Sequence, residues 1–393
     1  LPIWAAFVTS GDVTNPLVST AGATLPDLQA KIDAAEDNAT ITLDSDTTIT
    51  ETLVITGKTL TLDLNGCTLR MTGTGSVLKV SGRATLTIQD SSAEGTGTIT
   101  GGNAEYGGGV YVDDYAALKM TGGCITGCHA SRGGGGIYSS GNLYMGGTAK
   151  IEKCTGSDDA IWNRENSDIY ADGGTVDGTV NNQGTIKRSE GAVDVTVFNG
   201  TVYNRSAGKI EAGIYGIYNG TVENNGTITG GTFYGAVMIR KGSLSWVSTG
   251  SISGGTFYGS IVNEAGPEQV TGGTFAVTFD RGDGTKTEPK LVPWNGKVPR
   301  PTSDPEKSGH TFVGWYLGDA LYDFNTPVTA PLTLTAKWEK VPSSGGYYYY
   351  PTTDTKADDT KGSPKTADPG AALYGALALL SLTGMVALNG KKR

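Results

Sequence analysis

The stretch Gly107-Gly-Gly-Val-Tyr-Val112, with Leu118-Lys-Met-Thr-Gly-Gly123 after it, returns as Gly134-Gly-Gly-Ile-Tyr138 with Leu143-Tyr-Met-Gly-Gly147. Met120 and Met145 therefore stand 25 residues apart. Farther on, Gly-Gly-Thr-Phe occurs at 230 to 233, 254 to 257 and 272 to 275, at spacings of 24 and 18. Each copy alternates apolar and polar residues with the period of two that turns one face of a strand inward. Units this short cannot bury an apolar face alone. They must stack on their neighbours, so that the same side chain recurs at the same height in a narrow core. The pattern predicts a solenoid of short strands.

The same alternation extends towards the N-terminus through Ile41 and Leu43, Leu53 and Ile55, Leu60, Leu62 and Leu64, then Leu86 and Ile88. Gly, Asn, Asp or Ser bounds each set, as turns require. Ahead of these, Thr24-Leu-Pro-Asp27 reads as a capping box, with Leu25, Leu28, Ile32 and Ala35 on one face of a short helix that would cover the open end of the stack. Gly reaches 60 of 393 residues while charged residues are 18%, which favours many strands joined by tight turns over a charged, disordered chain. Rungs of 18 to 25 residues with Gly and Asn at the corners, where φ > 0 is needed, suit a right-handed parallel β-helix over 23–275. The fold class expected is all-β. A net charge of −9, with no basic cluster outside the extreme C-terminus, excludes an electrostatic footprint for nucleic acid.

Composition changes after Phe275. Residues 276–340 carry Phe312, Trp315 and Trp338, bulky anchors for a domain too small to build a large core. Residues 341–362 turn to Pro, Ser, Gly, Thr, Lys and Asp around Tyr347 to Tyr350, a linker composition. Residues 363–393 hold Ser363-Pro-Lys-Thr-Ala367, an uncharged apolar run over 370–388 and the cluster Lys391, Lys392 and Arg393. That run would span roughly 28 Å as a helix at about 1.5 Å per residue, so a C-terminal transmembrane helix is expected, its basic end on the cytoplasmic side. Residues 1–22, with apolar Leu1 to Phe7, read as a signal-peptide remnant or an N-terminal extension.

Three resemblances follow from these motifs. Through Thr61-Leu-Asp-Leu-Asn-Gly66 and the Gly-Gly-Thr-Phe rungs, 23–275 resembles the pectin-lyase-like β-helices of bacterial surface proteins. Val277-Thr-Phe-Asp280, Gly309-His-Thr-Phe-Val-Gly-Trp-Tyr316, Tyr322-Asp-Phe324 and Leu332-Thr-Leu-Thr-Ala-Lys-Trp338 resemble the Listeria-Bacteroides (internalin B-type) repeat, which implies a small β-grasp-like module of extracellular stalks. Ser363, Pro364, Lys365, Thr366 and Ala367, with the apolar span and basic tail, resemble an LPXTG-like cell-wall sorting signal. That implies a sortase cysteine attacking the Thr366 carbonyl, release of the tail from Ala367 onward, and transfer to a peptidoglycan amine. Together they imply an exported surface protein of a Gram-positive bacterium, covalently attached to the cell wall, with adhesion or surface interaction as its work. The expected partners are sortase, peptidoglycan, a host or polysaccharide ligand, and the membrane through 370–388 before processing. The alternatives are a surface carbohydrate-active enzyme and a non-binding structural stalk.

An enzyme would need paired carboxylates or a base with acidic metal ligands. The candidates are Asp113 with Asp114, Asp158 with Asp159, and Glu165 with Asp168, each beside Gly, Ser or Asn in an expected surface turn, where a carboxylate is solvated. The polygalacturonase-like pattern would add Gly-His-Gly and Arg-Ile-Lys, and neither motif is present. No catalytic residue and no cofactor is expected. Cys124-x3-Cys128-His129 lies in a strand repeat of a chain with only two histidines, so no metal is expected either. Cys128 and Cys154 follow Met120 and Met145 at eight and nine residues, which places them on adjacent rungs as neighbours. In Gly-Thr-Phe-Tyr-Gly, Phe233 and Phe257 face inward and Tyr234 and Tyr258 stack outside, as ordinary packing or as a glycan platform. Arg281-Gly-Asp283 spells an integrin-type tripeptide on an expected turn, read as a chance occurrence.

Overall fold

The structure is a computed structural model that describes residues 25–156, 159–190, 196–211, 217–241 and 249–341. It is all-β and dominated by parallel sheets, with one α-helix among the described residues, Leu25–Ala34. Leu28 and Ile32 of that helix are buried as the 3.6-residue period requires. Thr24, the expected cap, lies outside the described residues. The other end is capped by Lys58, whose Nζ donates to the carbonyls of Ile32, Asp33 and Ala35 at 3.1, 2.9 and 2.9 Å. A cation there answers both the unpaired carbonyls and the negative end of the helix dipole. Gln29 covers the sheet edge: its Nε2 donates to the Val54 carbonyl at 3.1 Å and its Oε1 accepts from the Val54 N–H at 2.9 Å. One side-chain amide thus replaces a missing strand partner on the first strand of a sheet.

From Ala39 the chain makes repeated passes, each laid parallel on the one before. One ladder runs Leu60, Leu86, Leu118, Leu143, Ile169, Ile186, Ile210, Ile228, Ile252. A second runs Leu69, Ile99, Ile125, Ile151, Val176, Phe198, Tyr218, Phe233, Phe257, Phe275. A third, along a ten-stranded sheet, runs Leu53, Leu78, Val110, Ile137, Ile161, Val180, Val202, Val222, Val237, Ile261. All but Ile261 of these residues are buried, and the three ladders meet as one core. Burying each aliphatic side chain contributes about 1.5–3 kcal/mol. In the second ladder aliphatic residues give way to rings, with centroids 5.0, 4.7 and 4.8 Å apart from Phe198 through Tyr218 and Phe233 to Phe257. Burial pushes the Tyr218 hydroxyl well above its ordinary pKa. Met120 and Met145 are register partners, as the repeat predicts.

Cys128 and Cys154 also lie on adjacent passes, since His129 and Thr155 beside them are register partners. The neighbouring Cys128 thiol, and then burial, push Cys154 above the ordinary thiol range. All four cysteines are free.

At the end of the ten-stranded sheet the ladder Ile55, Val80, Val112 changes character and continues as Ser139, Asn163, Asn182, Asn204, Asn224. These asparagines are fully buried. Nδ2 of Asn163 donates to Oδ1 of Asn182 at 2.8 Å, Asn182 to Asn204 at 2.9 Å, and Asn204 to Asn224 at 2.7 Å. The remaining donors reach backbone carbonyls, such as Gly184 from Asn182 at 3.0 Å and Ser251 from Asn224 at 3.0 Å. The expectation that corner asparagines serve through positive φ is therefore only half met. It holds at Asn65 and Asn166, at φ 46° and 66°, whereas the ladder residues are strand residues held by their side-chain amides.

The turns leaving this ladder alternate in length. Four residues, 113–116, join Val112 to Ala117, but only 140–141 join their register partners Ser139 and Asn142. Four-residue turns return at 164–167 and 205–208, and two-residue turns at 183–184 and 225–226. Each short turn carries a glycine tucked under the preceding long one. A Cβ on Gly141, Gly184 or Gly226 would stand 2.1, 2.0 or 2.1 Å from the carbonyl oxygen of Ala116, Ser167 or Gly208.

The strand Thr274–Asp280 belongs to two architectures. Its first residues pair parallel with Thr256–Phe257, continuing the stack. Antiparallel Lys290–Pro293 then occupies the next edge, with Val292 opposite Phe275. Leu332–Lys340 pairs parallel with 277–280 and antiparallel with His310–Leu317. The stack and the small module share a strand, so the expected boundary between 275 and 276 falls inside one element. Phe312, Trp315 and Trp338 interlock edge-to-face at 5.5 Å, and Phe279, unforeseen from sequence, meets Trp315 at 4.8 Å. Residues 1–22, the linker 341–362 beyond Val341, and 363–393 with the apolar span 370–388 lie outside the described residues. Among the described residues, no helix is long and apolar enough to cross a membrane.

Candidate functional site

Parallel stacking sets outward side chains above one another, so candidate sites form as rows. Tyr234 and Tyr258 stack outside with centroids 4.7 Å apart, over buried Phe233 and Phe257. Their facing sides cover each other, and Tyr234 keeps 52% of its surface exposed. Tyr144 and Tyr170 form a second row at 4.2 Å, closed at one end by Lys119 over Tyr144 and at the other by Lys187 over Tyr170. A third cluster escaped the sequence reading. Tyr111, Tyr138 and Trp162 are register partners, and Tyr106 meets Tyr138 at 4.8 Å from the neighbouring three-stranded sheet. Beside them a groove of about 580 Å³ is lined by Lys79, Glu105, Tyr106 and Tyr111, with Glu105 paired to Arg132 at 2.8 Å. Burial, and then Asp113, raises the Tyr111 hydroxyl pKa.

The carboxylates that sequence placed in pairs meet different surroundings. Asp168 is bound to Lys187 at 2.6 Å, while Glu165 stands exposed in the turn before it. Asp158 lies outside the described residues. Asp159 is buried, with Asn181 donating to it at 3.3 Å, which corrects the expectation of a solvated turn carboxylate. Asp113 and Asp114 sit in a four-residue turn, and Asp114 is exposed. Asp114 and Glu165 nevertheless come together across a notch. The short turn 140–141 lies between the long turns 113–116 and 164–167 and leaves a recess of about 420 Å³ lined by Asp114, Tyr115, Asn142, Arg164, Glu165 and Asn166. No single motif marks it; the only sequence signal is a two-residue difference in turn length.

Other motifs resolve into local structure. In Arg281-Gly282-Asp283 the Asp283 carboxylate accepts from the Thr285 hydroxyl at 2.6 Å and N–H at 2.8 Å, which holds its pKa below the usual range. His129 meets the Thr155 hydroxyl at 3.2 Å and His310 the Ser308 carbonyl at 2.9 Å. Among the described residues no group of His, Cys, Asp and Glu could hold a metal ion. Burial pushes the Cys124 thiol up to about 11, far from a reactive thiolate. The sorting residues Ser363 to Ala367 lie outside the described residues.

No curated protein and no solved structure matches the chain. A family match covers Phe275 to Lys337, beginning on the last ring of the core stack and ending in the strand that contains Trp338. Residues 275–337 are a Listeria-Bacteroides repeat domain, a module typical of bacterial surface proteins, built directly onto a stack of parallel strands.

Proposed function

We propose that this chain is an exported surface protein of a Gram-positive bacterium in which a right-handed parallel β-helix, terminated by one Listeria-Bacteroides repeat, is presented outward from the cell wall for adhesion or surface interaction. The repeat at 275–337 carries the reading. The parallel registers support the β-helix, because the same three inward ladders persist through every pass. Rows of outward tyrosines, Tyr234 with Tyr258 among them, supply the aromatic surface that interaction sites favour.

The attachment rests on the order of Ser363-Pro-Lys-Thr-Ala367, the uncharged span 370–388 and Lys391-Lys-Arg393. Thr366 is the acyl donor to the sortase, and the span holds the chain in the membrane until transfer to peptidoglycan. Fractionation of cells expressing Thr366→Ala tests it. The variant is expected in the membrane fraction, with the unaltered chain released only by wall digestion. Equal covalent attachment of both to peptidoglycan would exclude the sorting mechanism.

A further inference from the structure

The notch at the short turn 140–141 has the geometry of a slot for one ring. Tyr115 forms its near wall. Val80 and Val112 are register partners, as are Thr85 and Ala117, so Arg83 is the residue one layer before Tyr115. Its guanidinium lies over the Tyr115 ring, 5.7 Å from the centroid. One face of the ring is thereby occupied along the stacking direction. A residue of the next layer would cover the opposite face, but there the turn is two residues short and Gly141 is drawn under the Ala116 carbonyl. Tyr115 is left 82% exposed.

The far wall, Arg164, Glu165 and Asn166, belongs to the layer after that. Layers about 4.8 Å apart put the two walls roughly 9–10 Å from one another. A saturated six-membered ring in contact with both sides at about 4 Å needs roughly 8 Å. Asp114 and Glu165 offer carboxylate acceptors, Arg164 a guanidinium, and Asn142 and Asn166 amides that both donate and accept. No ion pair among the described residues engages Asp114, Arg164 or Glu165. The backbone points the same way. Arg83, Tyr115 and Asn166 occupy equivalent turn positions at φ 64°, 61° and 66°. Asn tolerates this left-handed conformation at little cost, whereas Tyr does not.

We propose that this notch binds a pyranose residue of a glycan, stacked on Tyr115 and hydrogen-bonded by Asp114, Asn142, Arg164, Glu165 and Asn166. This rests on the reading of the chain as a surface-interaction protein and names the ligand class for one site on it. Tyr115 belongs to the side wall of the slot, and the short turn to its floor.

The test is binding of the full chain to immobilised cello-, chito-, manno- and galacto-oligosaccharides, with three variants alongside. Tyr115→Asn removes the stacking ring at a position that suits Asn, so the melting temperature should hold or rise while binding falls about fivefold or more. Inserting Asn-Gly between Ser140 and Gly141 restores the long turn, fills the recess with Tyr115 intact, and should abolish binding. Thr311→Ala, exposed on the repeat domain away from the notch, should leave binding unchanged. Binding by both Tyr115→Asn and the insertion variant as tight as that of the unaltered chain would overturn the slot while leaving a surface ligand elsewhere. No binding of the unaltered chain to any of the four oligosaccharides would overturn the ligand class, with wall attachment still decided by Thr366. Turnover of a bound oligosaccharide that disappears in Glu165→Gln would overturn the holding role in favour of hydrolysis.

Discussion

A buried asparagine is costly unless each of its polar atoms is paired, and here the pairing is made by repetition. Asn163, Asn182, Asn204 and Asn224 each give a hydrogen to the amide or carbonyl of the next layer, and all but Asn163, which accepts from the Ser167 hydroxyl of its own turn, take one from the layer before, a chain in which each bond polarises the next. Replacing Asn204 by Ala removes the bond from Asn182, which keeps the Gly184 and Lys209 carbonyls, and the bond to Asn224, which keeps the Gly226 N–H, and it empties a fully buried position. The loss should be about 1–3 kcal/mol in all, at about 0.5–1.5 kcal/mol for each of these two bonds. Chemical denaturation of Asn204→Ala against the unaltered chain measures it, and a loss below about 0.5 kcal/mol would mean that the ladder is not what holds this corner. Half-buried Thr87→Ala, on the outer face of a strand, is the comparison and should change little.

Elements here are short, most strands being two to five residues long, and none is stable alone. Each exists because the layers on either side pair with it, which makes the ends decisive. Gln29 and the helix Leu25–Ala34 close one end, and the antiparallel strand Lys290–Pro293 closes the edge beside Phe275 at the other. The repeat domain is therefore a cap as well as a module. Val292→Asp places a charge on buried backbone-paired surface opposite Phe275 and should destabilise the module by about 3 kcal/mol or more. Amide exchange should quicken in Thr256–Phe257 and Thr274–Phe275 as the cap loosens. Quickened exchange confined to 281–341 would show that the stack ends without help from the repeat. The apolar ladders were legible from sequence because Leu, Ile and Phe recur with a period of two. The asparagine corner was not, since Asn reads as a turn former until its amide is seen bonded to the next amide. The notch was hidden for another reason: it is an interval between two turns, and neither turn alone differs from an ordinary loop.

At the scale of the molecule, parallel stacking converts local repetition into surface. Residues as far apart in sequence as Tyr115 and Asn166 line one recess, and Tyr111, Tyr138 and Trp162 form one row, because each pass advances the chain by a single strand spacing. Sequence reading reached the stack and the repeat domain at 275–337, and it placed Phe233 and Phe257 inside with Tyr234 and Tyr258 outside. It set the boundary between stack and repeat within the shared strand Thr274–Asp280, because Phe275 satisfies both patterns at once. The central claim is the layer register itself, on which the core ladders, the asparagine corner and the notch all depend. Electron spin resonance distances test it directly, using spin labels on Thr61 with Lys187 and on Thr87 with Lys187, outward positions of one row, in a chain whose four native cysteines are replaced by alanine. The register puts five steps between the first pair and four between the second, so their separations should be about 24 Å and about 19 Å, differing by one strand spacing. Equal separations, or a difference far from about 5 Å, would contradict the stacked passes.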